Sequence, residues 1–238
     1  MTPALEVRGL SAGYGPMQVV HDVSLTVGRG ERVGLLGLNG HGKTTLLRAI
    51  VNLVGWRVGQ VELHGRTLMG LATHAAASRG VVLIPQGDAL FPGLTVRDNL
   101  DSGAYGSRSW HRRGQRRDRV LDIFPQLASR LDQPAGTLSG GERRMVSIGR
   151  GLMAEGDLYL VDEPSVGLAP ILAVSMIQTL FSLELDGGGM LLAEQNRALI
   201  DGQIDRVLHL HGGRLTDGPE AGDGKPGDAG GRGATVRA

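Results

Sequence analysis

The chain has 238 residues, of which 41% are hydrophobic and 21% charged, so it is long enough for one large or two small globular domains with a substantial core. The formal net charge of +1 gives no overall basic field of the kind that indicates nucleic-acid binding. The absence of cysteine excludes disulfides, thiolate metal sites and a cysteine nucleophile.

The first part of the chain predicts strands that lead into one helix. Residues 4–36 have a strand pattern, with apolar side chains alternating over 19–27 before a glycine turn. A short apolar strand follows at Arg32–Leu36 and ends in glycine. The segment Lys43–Val54 carries its apolar residues at helical spacing, so we expect a helix there.

Strands and helices alternate along the rest of the chain. We expect buried strands at 80–84, Leu158–Val161, Met190–Ala193 and Arg206–Leu210, and helices at Gly140–Met153 and Ile171–Leu185. This alternation predicts an α/β fold with a largely parallel sheet. A more polar helical stretch over 95–137 interrupts it and indicates an inserted helical subdomain. The glycine-rich segment 217–238 has almost nothing to bury, so we expect it to be disordered.

The sequence gives no sign of a segment that would itself enter a membrane. The N-terminal residues lack the charged and apolar regions of a secretory leader. No apolar run reaches the roughly 18 residues of a spanning helix. We therefore expect any contact with a membrane to come through a partner.

A glycine-rich loop carries the only lysine before the C-terminal tail. The sequence Gly37-Leu-Asn-Gly-His-Gly-Lys43-Thr44-Thr45 matches a Walker A loop, in which backbone N–H groups and a helix N-terminus hold phosphate oxygens. We expect Lys43 to reach the β- and γ-phosphates and the Thr44 hydroxyl to ligate Mg²⁺. A chance glycine turn is disfavoured, because the loop joins a strand to a helix. The folded part also uses arginine for every other basic residue, which indicates that a compact ammonium is needed here.

An acidic pair follows the apolar strand Leu158–Val161. At the carboxyl edge of a parallel sheet this strand would deliver Asp162 and Glu163 beside the phosphates. Asp162 could then hold Mg²⁺, directly or through water, and Glu163 could polarise an attacking water. A solvated acidic turn is the alternative, and it would be preferred if the motif did not follow a Walker A loop.

The sequence Leu138-Ser-Gly-Gly-Glu142 predicts a second helix start suited to phosphate. Ser139 is a favourable N-cap residue, and the glycines expose backbone N–H groups. One triphosphate does not need two cradles from one chain. If two chains faced each other head to tail, each would cover the nucleotide of the other, and both phosphate-binding helix starts of a chain would be used. The alternative is an ordinary serine-capped helix.

These three motifs in this order resemble the ATPase subunits of ABC transporters, for which LSGGE is the signature. The resemblance implies a P-loop ABC ATPase domain over 1–216, with a mostly parallel core sheet, an N-terminal antiparallel β subdomain and a helical subdomain at about 88–137. It also implies that Tyr14 stacks on adenine. Gln86 falls at the Q-loop, which touches Mg²⁺ or the attacking water and links to the membrane subunit.

Longer stretches, including VDEPSVGLAP and LLAEQN, resemble the LivF-type ATPases of branched-chain (hydrophobic) amino-acid uptake, over about residues 4–216. Gln195 stands where most ABC ATPases have a switch histidine, and Ala169 where the D-loop usually has aspartate; both look usual for the LivF type. Gln86 stands where that subfamily often has glutamate. Since a neutral amide cannot become a cation, we hypothesise that the site built on Lys43 hydrolyses ATP more slowly than its partner's site.

The resemblance implies ATP and Mg²⁺ as cofactors and a motor role at the cytoplasmic face of the inner membrane. The implied partners are a second ATPase, LivG-type or a second copy, two permease subunits and, through them, an external substrate-binding protein, with no nucleic acid. Urea, an amide or another amino acid remain alternative cargoes, and a DNA-repair or translation ATPase an alternative class. A P-loop kinase or GTPase is disfavoured because such enzymes lack LSGGE.

The candidate site residues divide by role. The nucleotide-binding candidates are Tyr14, Gly37, Asn39, Gly40, His41, Gly42, Lys43, Thr44, Thr45, Ser139, Gly140, Gly141 and Glu142. The catalytic candidates are Glu163, Gln86 and Gln195, and the Mg²⁺ ligand candidates are Thr44, Gln86 and Asp162.

Overall fold

The computed structural model describes residues 2–106, 110–154 and 156–216. The segment 217–238, expected to be disordered, lies outside these residues. In the part of the chain that is described, no helix is long and apolar enough to cross a membrane.

One of the two sheets is antiparallel and comes from the N-terminal part of the chain. Its strands are β1 (Leu5–Tyr14), β2 (Met17–Val27), β4 (Trp56–Leu63) and β5 (Arg66–Thr67), in the order β2-β1-β4-β5. Strand β1 is central and pairs antiparallel with both β2 and β4. The sheet matches the expected N-terminal antiparallel subdomain, although neither β4 nor β5 was predicted from the sequence.

The second sheet forms the core and carries the loops of the candidate site. Its strands are β3 (Arg32–Leu36), β6 (Val81–Ile84), β7 (Leu158–Asp162), β8 (Gly189–Glu194), β9 (Arg206–His211) and β10 (Arg214–Thr216), in the order β10-β9-β3-β8-β7-β6. All neighbouring pairs are parallel except β10 with β9. The expected α/β fold with a largely parallel sheet is therefore confirmed.

Helices pack around these sheets. They include α1 (Lys43–Ile50), α2 (Thr73–Ser78), α3 (Val96–Gly103), α4 (Arg113–Ile123), α5 (Gly140–Leu152) and α6 (Pro170–Phe181). Apolar side chains of α1 join those of the antiparallel sheet in one core cluster, and those of α3, α5 and α6 join a second. Helix α5 matches the expected Gly140–Met153 within one residue, whereas α2 was not expected.

Helix α1 ends at Ile50, earlier than the apolar spacing to Val54 indicates. The side chain of Arg57, on β4, donates to the carbonyls of Ala49 and Ile50 and so satisfies the end of the helix. Asn52 then turns the chain with a φ of +61°. The end of the helix is satisfied by a side chain of the strand that follows it, which helical spacing alone cannot reveal.

Among the described residues of the expected helical stretch over 95–137, helices α3 and α4 are followed by 3₁₀ turns at Pro125–Arg130 and Ala135–Thr137, so the stretch is not α-helical throughout. Proline at the first position of the first turn, and Pro134 just before the second, explain the break. Helix α6 likewise ends at Phe181 and not at Leu185.

Candidate functional site

Four loops meet at the carboxyl edge of the parallel sheet. The Walker A loop follows β3, Gln86 lies just beyond β6, Asp162 ends β7, and Glu194 ends β8. Since these strands are parallel neighbours in the order β3-β8-β7-β6, their ends lie side by side. This edge is where open parallel sheets bind their ligands.

The ammonium of Lys43 lies at the centre of this edge. Its Nζ donates to the carbonyls of Gly37 at 2.6 Å and Leu38 at 3.1 Å. It also forms an ion pair with Oε1 of Glu163 at 2.8 Å, and the two side chains are only 3% and 4% exposed. A buried ion pair of this kind is sensitive to the loss of either partner.

The Walker A loop has the backbone that phosphate binding requires. Gly40 and Gly42 adopt φ of +85° and +98°, the left-handed region that favours glycine. Gly42 directly precedes α1, whose first turn contains no acidic side chain. The N-terminal N–H groups and positive dipole end of α1 therefore suit an anion.

His41 anchors this loop to the neighbouring strand β9. Its Nδ1 lies 3.2 Å from the carbonyl oxygen of Leu210, and its ring meets that of His211 edge-on at 4.4 Å between centroids. The side chain thus contacts β9, and the backbone N–H, its predicted contribution to phosphate binding, donates to the carbonyl of Leu38 at 3.2 Å. Asn39 is exposed and Thr45 is buried.

The two strongest metal-ligand candidates are in contact. The Thr44 hydroxyl donates to Oδ1 of Asp162 at 3.1 Å. Burial raises the pKa of the Asp162 carboxyl, while the hydrogen bond from Thr44 partly opposes the rise. A hydroxyl and a buried carboxylate supply the hard oxygen ligands that Mg²⁺ prefers, and a cation would compensate the buried charge, so these residues fit the metal.

Replacing Asp162 by asparagine should stabilise the nucleotide-free protein. A carboxyl group whose pKa is raised in the folded state contributes most to stability below its unfolded-state pKa, and this contribution is lost as the pH rises through the folded-state value. Asparagine does not ionise, and its amide oxygen can still accept from Thr44. We expect the melting temperature at about pH 8 to rise by a few degrees, and its fall as the pH rises above the ordinary pKa of an aspartate, about 4, to shrink.

Thermal unfolding in EDTA without nucleotide measures this effect across the pH range. The matched control is Asp201→Asn, since Asp201 is a half-exposed partner of Arg197 and should leave the melting temperature nearly unchanged. An Asp162→Asn protein that melts below wild type at about pH 8 would contradict the expectation.

The structure brings together the catalytic candidates Glu163 and Gln86. Glu163 directly follows β7 and adopts a φ of +42°, which is rare for a residue with a side chain and is found at functional sites. Its Oε2 accepts from Nε2 of Gln86 at 2.9 Å, while Oε1 pairs with Lys43. One carboxylate thus connects the Walker A lysine with the loop that follows β6.

The signature residues form the N-terminus of α5. Ser139 caps the helix by accepting from the N–H of Glu142 at 3.3 Å, and Oε2 of Glu142 accepts from the N–H of Ser139 at 2.8 Å. Ser139 and Gly140 are exposed, and Gly141 is partly buried. Among the hydrogen bonds and ion pairs of the described residues, none joins Ser139 or Glu142 to Lys43 or Asp162.

Two further candidates, Tyr14 and Gln195, have exposed side chains. Tyr14 is 37% exposed at the end of β1. The side chain of Gln195 is exposed, and only its backbone N–H is fixed, by donating to Oε2 of Glu194 at 3.2 Å. Within the described part of the chain, no hydrogen bond links the Gln195 side chain to Glu163 or Lys43, so the roles of Tyr14 and Gln195 stay predictions.

Two buried charged residues of the site, Glu194 and Arg144, were not predicted from the sequence. Glu194 accepts from the N–H groups of Ser165 and Gln195, and burial raises its pKa. The sequence pattern that could have indicated Glu194 is an acidic residue at the end of an apolar strand, the same pattern that indicated Asp162. The signal of Arg144 was an arginine four residues before Ile148, on the apolar face of its helix.

Comparison with known proteins agrees with this geometry. Residues 20–166 match the family model described as "ABC transporter". A solved ATP-binding cassette of an ABC transporter in its ADP conformation superposes with a TM-score of 0.77 and 23% identity, covering 91% of this chain and 90% of that one. At this identity the superposition supports the fold alone.

Two curated relatives are ATP-binding proteins of named transport systems. BraG of Pseudomonas aeruginosa, a high-affinity branched-chain amino acid transport ATP-binding protein, is 38% identical over 87% of this chain and 88% of its own. LptB of Escherichia coli K12, a lipopolysaccharide export ATP-binding protein, is 37% identical over 81% of this chain and 80% of its own. The first confirms the resemblance to branched-chain amino-acid transport ATPases. With the family match and the Walker and signature geometry, the chain belongs to the ABC transporter family, as one of its ATP-hydrolysing subunits.

Proposed function

We propose that this subunit powers the uptake of branched-chain or other hydrophobic amino acids by an ABC importer. The observation that carries the proposal is the 38% identity with BraG across nearly the whole length of both chains. The Lys43–Glu163–Gln86 cluster supplies the motor chemistry such an importer needs. The cargo itself would be bound by other subunits.

Binding of the triphosphate would use Lys43 and the N-terminus of α1, with Tyr14 against adenine. Thr44, Asp162 and Gln86 would hold Mg²⁺, and when bound the metal supplies positive charge that neutralises the phosphates. Phosphate oxygens would replace the carbonyls of Gly37 and Leu38 as acceptors for Lys43. Glu163 would then hold the attacking water in line with the γ-phosphate and accept a proton from it.

The signature helix would act on the nucleotide of a second ATPase subunit, LivG-type or another copy of this chain. The exposed N-terminus of α5 supports this assignment, since among the described residues Ser139 and Glu142 make no hydrogen bond or ion pair with Lys43 or Asp162 of their own chain. Closure of the pair would add donors to the γ-phosphate, and hydrolysis would remove that bridge.

The membrane partners would dock at a cleft of about 460 Å³ between the loop after β6 and helices α3 and α5. Leu53, Phe91 and Tyr105 line it and are 48%, 52% and 62% exposed. Clustered exposed apolar side chains mark protein contacts, and a cleft of this kind suits a permease helix. Docking there would hold the subunit peripherally at the cytoplasmic face, under two permease subunits fed by an external binding protein.

Lipopolysaccharide export is a second candidate, favoured by the 37% identity with LptB. The two functions differ in what stimulates ATP turnover by the complete transporter in vesicles. Leucine, isoleucine or valine presented with the cognate binding protein should raise turnover several-fold under the main proposal. Stimulation by lipopolysaccharide, with no response to these amino acids, would overturn it.

Substituting histidine for Gln195 should raise the ATP turnover of the complete complex several-fold. A histidine can become a cation beside the γ-phosphate, whereas the Gln195 amide stays neutral. The experiment compares steady-state phosphate release by wild-type and Gln195→His complexes, with Gln195→Asn as the neutral control. Unchanged turnover in the histidine variant would count against a slow site on this chain.

A further inference from the structure

Arg144 is the largest fully buried side chain in the described part of the molecule. It lies on α5, one turn after the signature glycines, and is 2% exposed. A guanidinium withdrawn from water to this extent must find acceptors inside the protein. Those it finds are backbone carbonyls of two site loops.

The guanidinium binds five backbone carbonyls. Nη1 donates to Pro85 at 2.9 Å and to Gly87, which together bracket Gln86. The other two nitrogens donate to carbonyls at the end of β7 and in the loop that follows it. Nε donates to Pro164 at 3.0 Å, and Nη2 donates to Asp162 at 3.2 Å and Glu163 at 3.1 Å. One planar group therefore holds the backbone on both sides of Gln86 and on both sides of Glu163.

This arrangement bears directly on the contact between Gln86 and Glu163. Their 2.9 Å side-chain hydrogen bond spans the two loops that Arg144 joins. Glu163 also has a strained backbone, with φ at +42°, and strain of this kind persists only where the surroundings enforce it. The hydrogen bonds of Arg144 to the carbonyls of Glu163 and of both its neighbours provide that enforcement.

We propose that Arg144 is a positioning residue for ATP hydrolysis: it fixes the loops of Gln86 and Glu163 relative to each other and couples their spacing to the signature helix. This inference rests on the proposed roles of Gln86 and Glu163. Because Arg144 is on α5, a shift of the helix when a partner subunit closes would move both loops together. Lysine cannot replace it, since an ammonium has three donors and lacks the planar fork.

The neighbouring Arg143 provides a matched control. It also connects the signature helix to the loop after β6, through an ion pair from its Nε to Oδ2 of Asp88 at 2.8 Å. This pair is more than one-third exposed on both sides, and such pairs contribute little. Arg143 and Arg144 thus share a helix and a target loop and differ in burial and in contact with the Glu163 loop.

The test uses the assembled complex and measures ATP turnover, the Kd of Mg-ATP and the melting temperature. Arg144→Lys should lower kcat by about 10- to 100-fold, the cost of misplacing reacting groups by a fraction of an ångström to about one, with Kd within about threefold. Arg143→Gln should change kcat by less than about threefold. Combining Arg144→Lys with Gln86→Ala should cost little more than the worse single change, since both act on the same geometry.

Several results would overturn the inference. They are full turnover in Arg144→Lys, parallel loss of turnover and ATP affinity, or multiplicative effects with Gln86→Ala. Failure of both Arg144→Lys and Arg144→Gln to fold would assign the residue to stability alone. Glu163→Gln separates this outcome from a wrong site: if that variant keeps its turnover the proposed catalytic role fails, and if it loses turnover while Arg144→Lys keeps it only the positioning role fails.

Discussion

Glutamine in place of Glu163 should lower ATP turnover by about 10²- to 10⁴-fold, the usual contribution of a positioned general base. The change removes the group that would accept the proton of the attacking water while keeping the size of the side chain. Mg-ATP should bind as tightly as before or more tightly, since Lys43 no longer pairs with a carboxylate at 2.8 Å and is free for the phosphates. Single-turnover phosphate release and equilibrium binding by the assembled complex separate the two effects.

Glu194 is the matched control for this experiment. It is a second buried carboxylate at the end of a neighbouring parallel strand, and it holds the N–H groups of Ser165 and Gln195 without contacting Lys43. Glu194→Gln keeps one amide oxygen for these donors and should retain turnover within about tenfold. If the two variants lost turnover equally, burial of charge at this edge would explain the loss and Glu163 would have no special role.

Much of the fold could be predicted where local sequence and final environment agree. Strand β7 is apolar along its length because both faces of the parallel sheet are covered, and α5 carries a favourable N-cap at Ser139. Strand β4 has no such pattern. Its first five residues are Trp56, Arg57, Val58, Gly59 and Gln60, of which the last three are exposed, and Gly59 adopts a φ of +114°. Its strand conformation comes from pairing with β1.

The same division holds for the candidate site. Lys43, Asp162 and Glu163 could be predicted because each follows a buried strand or glycine loop that is visible in sequence. The direct pairing of Glu163 with Lys43 and Gln86 could not, because it depends on the strand order β3-β8-β7-β6, which brings the ends of β3, β7 and β6 to one edge. The contacts of Arg144 are even harder to predict from the sequence, because its five acceptors are backbone carbonyls, which every residue has.

Methionine in place of Lys43 should destabilise the nucleotide-free protein and abolish tight binding of ATP. The change leaves the Glu163 carboxylate, only 4% exposed, without its cation, and breaking a buried pair in this way costs about 3–5 kcal/mol. Replacing both partners, as Lys43→Met with Glu163→Gln, should recover most of that stability because no uncompensated charge remains. ATP affinity should stay low in the double variant, since the ammonium for the phosphates is gone.

Denaturant unfolding of the four proteins of this cycle, without nucleotide, measures the coupling energy between the two residues. Arg48→Met is the control: Arg48 lies on the same helix but is exposed, so it should change the free energy of unfolding by about 0.5 kcal/mol or less. Strictly additive losses in the cycle would show that the 2.8 Å contact does not stabilise the site. Strong coupling, with low ATP affinity in both variants lacking Lys43, would instead mean that phosphate binding has to compete with a pair that holds the empty site together.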